Sequence, residues 1–200
     1  MLKDLVSIKF KDSIYSMHGI SRKTVENHLK LYEGYVKKYN EIINKLKSVD
    51  LKSANQTFSD FRSLKIDLTF AIGGVRNHEV YFNHLGGAGG EPTGIIKEIF
   101  VENFGSYKAW ADDLKASGMS ARGWVWLAYD WHGQTWFNYL GDAQNTYPVW
   151  GASVVLALDT YEHAYWMDYG TDRASYIDAF LANLDWEAVN KTVRELGISK

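Results

Sequence analysis

The sequence predicts an α+β chain, with an N-terminal antiparallel helical hairpin followed by a mixed domain of three short strands flanked by helices. Three observations carry this prediction. Apolar residues recur at helical spacing through the first part of the chain. Short aromatic-rich runs bounded by turn residues occupy the middle of the second half. Helical patterns lie in blocks on either side of those runs instead of alternating with them one for one. Two hundred residues with 46% hydrophobic content are enough for one or two compact domains with a substantial core.

Ser21 reads as a helix N-cap. After it, Val25, Leu29, Tyr32, Val36, Tyr39, Ile43 and Leu46 alternate at spacings of four and three, giving a long amphipathic helix with a narrow seam. The polar stretch from Ser48 to Gln56 makes a turn. A second helix is expected from about Phe58 to Leu85, with Phe58, Phe61, Leu64, Leu68 and Ala71 as its apolar positions. Two such helices joined by a short connection pair antiparallel. Gly73-Gly74 weakens the second helix by propensity, which points to other groups approaching closely where side chains are missing.

Gly86 to Gly94 is a glycine-rich link, so the domains divide as 1–87 and 88–200. It is not a phosphate loop, because no Gly-Lys-Ser/Thr ending follows. Helices are expected over about Ile95 to Ser117 and again over about Tyr176 to Leu196. Trp124 to Tyr129 and Thr135 to Tyr139 read as strands separated by the turn-like segment Asp130 to Gln134, and Val149 to Leu158 as a third strand.

Composition narrows the function. A net charge of -2 with no basic tract argues against a nucleic-acid partner. The absence of cysteine excludes disulfides, zinc ribbons and thiol catalysis. Any metal is then held by His, Asp, Glu or water, a donor set suited to manganese, iron or zinc. No apolar run approaches the roughly 20 residues that span a bilayer, and the start Met1-Leu2-Lys3-Asp4-Leu5 has no signal-peptide core. A cytoplasmic protein is therefore expected.

The most informative segment is Asp159-Thr-Tyr-Glu162-His163-Ala-Tyr165. On a helix, Asp159 and His163 share a face one turn apart, so a carboxylate oxygen and an imidazole nitrogen converge on one point. The segment follows the apolar run Val154 to Leu158 and is crowded by Tyr161, Tyr165 and Trp166. Polar groups beside so much apolar surface need partners to offset desolvation, and a cation would serve.

This segment resembles the D-x-W-E-H-A-Y-Y signature of the iron/manganese superoxide dismutases. The likeness extends to Asp168-Tyr169, Arg173, Tyr176 and Asp185-Trp186 downstream, and to Gly89 through Gly94, Asn103 through Ser106 and Gly123 through Leu127 upstream. It is dense from about Gly73 onward and poor over the first fifty residues. The resemblance implies an N-terminal helical hairpin and a small antiparallel sheet in the C-terminal domain. It also implies that one manganese or iron ion per subunit cycles between two oxidation states and converts superoxide to O₂ and H₂O₂. The segment Gly73 to His78 resembles the family's glycine-rich stretch bearing a second-helix ligand, which makes His28, His78, Asp159 and His163 the implied metal ligands. His18, His84 and His132 are left as surface or structural residues.

Further roles follow from the same resemblance. Gln144 is similar to the glutamine that manganese-type members place beside the metal, whereas iron-type members supply one from the second helix, where this chain has Gly74. Ala157 sits where the two types differ and matches neither, so the choice between manganese and iron stays open. Tyr32 replaces a second first-helix histidine. Val36 occupies the family's gateway-tyrosine spacing, and Tyr35 lies one residue short of it, as a one-residue deletion would leave it. Tyr35, Gln144 and Tyr32 are thus the implied catalytic side chains. Arg173 or a nearby lysine is the expected attractor of the anion. A homodimer or dimer of dimers is implied, with Glu162, His163 and Trp166 near the interface. Trp166 and Tyr32 both depart from the family pattern, which implies a rebuilt gate. Two other readings remain open: a non-catalytic protein that keeps the fold, and another mononuclear non-haem iron enzyme.

Overall fold

The structure is a computed structural model, described over residues 2–145 and 151–198. Helix α1 (Arg22–Leu46) begins where the sequence places it, with the Ser21 side chain accepting from the Thr24 N–H. Helix α2 (Asp60–Asn83) is capped in the same way by Ser59. The two form the hairpin, and every seam residue of α1 from Val25 to Leu46 is buried or half-buried. Toward the hairpin tip, Tyr39, Ile42, Ile43 and Ala71 make a small cluster of their own, closed by Leu46, Leu64 and Leu68. Phe58 departs from expectation. It precedes α2 and is 77% exposed. Gly73 and Gly74 do not interrupt α2.

Residues 2–11, which carry no periodic pattern, lie as an extended strap pinned along the hairpin. Leu5 exchanges two hydrogen bonds with the Asn40 side chain, its N–H donating at 2.8 Å and its carbonyl accepting at 2.8 Å. The Ile8 N–H donates to the Tyr32 hydroxyl at 2.9 Å. Phe10 packs against Tyr32 and Phe82, and Lys11 pairs with Asp185.

The second half holds α3 (Ile95–Phe104) and α4 (Tyr107–Ser120), then strands β1 (Trp124–Asp130), β2 (Thr135–Gly141) and β3 (Ala152–Asp159). It ends with a short α5 (Trp166–Tyr169), α6 (Arg173–Ala182) and α7 (Trp186–Glu195). The sheet is antiparallel throughout, in the order β2-β1-β3. The expected start of β3 at Val149 lies outside the described residues. Strand β1 is buried along almost its whole length, so both of its faces are covered, while β2 and β3 flank its edges. Both halves share one core, and the two halves are stitched where Leu85 bridges Leu184. Among the described residues, no helix is long and apolar enough to cross a membrane.

Candidate metal centre

Asp159 and His163 do not share an α-helix. Asp159 is the last residue of β3, and His163 sits in a 3-10 turn over Glu162–Ala164. The Tyr161 N–H donates to Asp159 Oδ1 at 2.9 Å, and the Ala164 N–H closes the turn onto the Tyr161 carbonyl at 3.0 Å. A strand end followed by a tight turn brings the two side chains together as a helix would, which the spacing alone could not distinguish.

His28 comes from α1 and His78 from α2. Asp159 Oδ2 lies 3.0 Å from His28 Nε2, 3.0 Å from His163 Nε2 and 3.7 Å from His78 Nε2. One donor atom from each of the four residues lies within 4.8 Å of every other. An ion bonded at about 2.1 Å would space neighbouring donors roughly 3–4 Å apart, so the cradle has the size of a single first-row metal. His78 Nδ1 donates to the Gly74 carbonyl at 2.6 Å, which leaves the Nε2 lone pair facing inward. That Nε2 is buried and has no hydrogen-bond partner in the protein. A buried, unpartnered lone pair aimed at a carboxylate fits a cation and otherwise only costs stability.

Burial pushes His78 down to about 3 and also lowers His28, so both imidazoles are neutral, as ligands must be, whereas at His163 the Asp159 carboxylate outweighs burial and raises the imidazole. Burial alone would raise Asp159, but His163 and His28 outweigh it and hold the carboxyl below its ordinary range. Behind the carboxylate, the Tyr176 hydroxyl donates to the Asp159 carbonyl at 2.7 Å and lies 3.2 Å from the Tyr81 hydroxyl. The histidine rings are walled by Phe82, Tyr81 and Trp124.

Tyr35 and Gln144 both reach this neighbourhood. The Tyr35 ring is 5.5 Å from that of His78, and burial raises its hydroxyl above the usual tyrosine value. The Gln144 side chain acts in the opposite direction on that hydroxyl, although its amide atoms are buried without a partner at strict hydrogen-bond geometry. Tyr32 is placed differently. Its ring is 6.5 Å from His78, but its hydroxyl accepts from the Ile8 N–H and donates to Glu79 at 3.2 Å.

Arg173, expected as an anion attractor, is engaged elsewhere. It donates to the Gly118 and Ala121 carbonyls and to the Tyr165 hydroxyl. The cations beside the opening at His163 are instead Lys23 and Lys30. His18 and His132 are exposed, and His84 is buried outside the ligand group, against Thr192. Sequence reasoning gave no role to Asn77. Its amide donates to the Gln144 carbonyl at 3.1 Å while its oxygen accepts from Trp126 Nε1 at 3.0 Å. The available signal was its position directly before His78.

Family models for the iron/manganese superoxide dismutases match both halves of the chain, the α-hairpin domain over residues 17–86 and the C-terminal domain over residues 92–192. The chain belongs to the iron/manganese superoxide dismutases. The hairpin match begins at residue 17, well before the stretch where the motifs themselves are dense. Among curated relatives, "Superoxide dismutase [Fe]" of Aquifex pyrophilus is 42% identical over 182 residues, covering 88% of this chain and 85% of the relative. "Superoxide dismutase [Fe]" of Cupriavidus metallidurans is 35% identical over 84% of this chain and 86% of its own length. "Superoxide dismutase [Mn] 1" of Halobacterium salinarum is 38% identical over 60% of this chain and 61% of its own length. Iron and manganese members thus both stand among its relatives.

Proposed function

We propose that this chain is a superoxide dismutase holding one manganese or iron ion through His28 Nε2, His78 Nε2, Asp159 Oδ2 and His163 Nε2. The observation that carries this reading is the convergence of three imidazoles on one buried carboxylate, with the His78 Nε2 lone pair left unpartnered. When bound, the ion supplies the reversible one-electron change by which one superoxide is oxidised to O₂ and another reduced to H₂O₂. The residues do the rest. The Gly74 carbonyl fixes the His78 tautomer, and the Tyr161 N–H fixes the Asp159 carboxylate. Tyr35 and Gln144 are the side chains placed to form a hydrogen-bonded network for proton delivery, Gln144 orienting it and the Tyr35 hydroxyl passing the proton. Lys23 and Lys30 lend positive potential to the face around His163.

Tyr32 acts by position. Its hydroxyl ties the N-terminal strap to α1, and Phe10 of that strap backs Phe82, which packs on His28. The chain divides at residues 87 and 88, and the two family matches on either side support that boundary.

The subunit pairs with a second copy through the face around His163. Trp166 is 50% exposed and Met167 45% exposed there, next to Leu31 and Glu162. Such a cluster of exposed apolar side chains at the mouth of a site is the kind of surface that association covers. Sedimentation of the purified protein as a monomer at micromolar concentration would refute the pairing.

The test of the activity is superoxide decay, followed by absorbance, with the protein loaded separately with manganese and with iron. Rapid decay with one metal assigns both reaction and metal, and comparable decay with both assigns a cambialistic enzyme. No decay with either metal at full loading would leave a non-catalytic metal-binding protein.

A further inference from the structure

The glycine pair of α2 faces two groups near the metal centre, the Tyr35 ring and the Gln144 backbone. A Cβ built at Gly74 would lie 2.6 Å from Tyr35 Cγ and 2.8 Å from both Cδ atoms. These ring atoms are the ones nearest the Tyr35 backbone, so a small swing of the side chain cannot clear them. A Cβ at Gly73 would collide with the Gln144 carbonyl oxygen and lie 2.8 Å from its carbon. The same carbonyl is held from the side by the Asn77 amide. Phe70 closes the outer side of the Tyr35 slot with an edge-on ring contact at 6.2 Å, and His78 closes the inner side.

Neither glycine is needed for backbone freedom, since both lie inside a regular helix that glycine weakens relative to alanine. We propose that Gly73 and Gly74 are positioning residues, each clearing a slot that aligns one of the two proton-handling groups. Gly74 seats the Tyr35 ring, and Gly73 together with Asn77 seats the Gln144 backbone. Tyr35 follows His28 by seven residues, and its ring reaches the centre by lying flush on α2 where no side chain intervenes. The slots themselves are a statement about packing. Their role in turnover rests on the proposed activity.

A double-mutant cycle separates the two statements. Gly74→Ala should lower the melting temperature of the metal-loaded protein by several degrees when Tyr35 is present. The same substitution should raise it in a Tyr35→Ala background, because only the helix-propensity gain is then left. Gly34→Ala on α1, where an added Cβ meets nothing within 4 Å, is the control and should stabilise in both backgrounds. If Gly74→Ala alone fails to fold while the double variant folds, the slot is likewise supported. Equal losses in both backgrounds, or a double variant that also fails to fold, would overturn it.

Azide serves as a stand-in for a small anion. Gly74→Ala and Tyr35→Ala should each shift its dissociation constant several-fold, with no further shift in the double variant. A sign reversal in stability without any azide effect would keep the slot and discard its link to the reaction.

Discussion

The molecule buries imidazoles in two places, and the two differ in what surrounds them. At the junction of α2 and α7, His84 places Nε2 2.8 Å from the neutral Thr192 hydroxyl, and its Nδ1 has no partner. Burial pushes it down to about 4, with Lys11 adding to the effect and Asp185 opposing it. At the metal centre, burial pushes His78 down to about 3. A depressed imidazole therefore marks burial in both places and chemistry in neither. The centre is distinguished by convergence, since three rings and one carboxylate aim at a common point there, whereas among the described residues His84 belongs to no such group.

The sharpest way to break this contrast is to remove the carboxylate. Asp159→Ala should lower metal affinity at least about 100-fold, because it deletes an anionic ligand and not merely an outer partner. Equilibrium metal titration measures this, and unchanged affinity would dissolve the contrast.

His84 should show the opposite behaviour. His84→Gln should leave the bound metal untouched and change only stability against pH. The ordinary histidine value is near 6.5 and the folded value about 4. The unfolded chain thus binds more protons between those limits, so folding stability rises with pH across that window. Neutral burial of His84 is fully tolerated above 6.5 and costs up to about 3 kcal/mol as pH falls through the window to 4. Urea unfolding at pH 7 and pH 4.5 should show a smaller acid loss in His84→Gln than in the wild type. An identical loss in both would remove His84 from the acid response.

Gln144→Ala refines the contrast from within the centre. It should keep full metal occupancy and lower turnover by about 10- to 100-fold, the usual effect of losing an outer partner of a metal site. Turnover equal to wild type in the fully loaded variant would take Gln144 out of the mechanism. The smallest effect is expected for Tyr32→Phe, which leaves the Ile8 N–H without its acceptor and should cost about 1 kcal/mol of stability. Turnover should be nearly unchanged, and a large loss of activity at intact stability would return Tyr32 to the proton path.

Much of this architecture is legible in the sequence, for identifiable reasons. The α1 seam follows helical periodicity because one face of the helix packs on α2, and the strands follow aromatic-rich runs because β1 is buried between its neighbours. The four converging residues sit inside short dense motifs. Other features leave no local trace. The Asp159–His163 spacing fits a helix and a strand-turn equally well. The strap over residues 2–11 is held by long-range hydrogen bonds and has no periodicity to betray it. Arg173 looks like a free cation in sequence, yet its guanidinium is occupied by two backbone carbonyls and a tyrosine that only the fold brings near. The Asn77 clamp on Gln144 likewise spans 67 positions of the chain.

Metal counting in two variants prepared side by side, His78→Ala and His84→Gln, separates convergence from burial most directly. Elemental analysis after desalting should find one manganese or iron ion per chain in His84→Gln, as in the wild type, and almost none in His78→Ala. Full occupancy in His78→Ala would contradict the claim that convergence on Asp159, and not burial, makes this the metal centre.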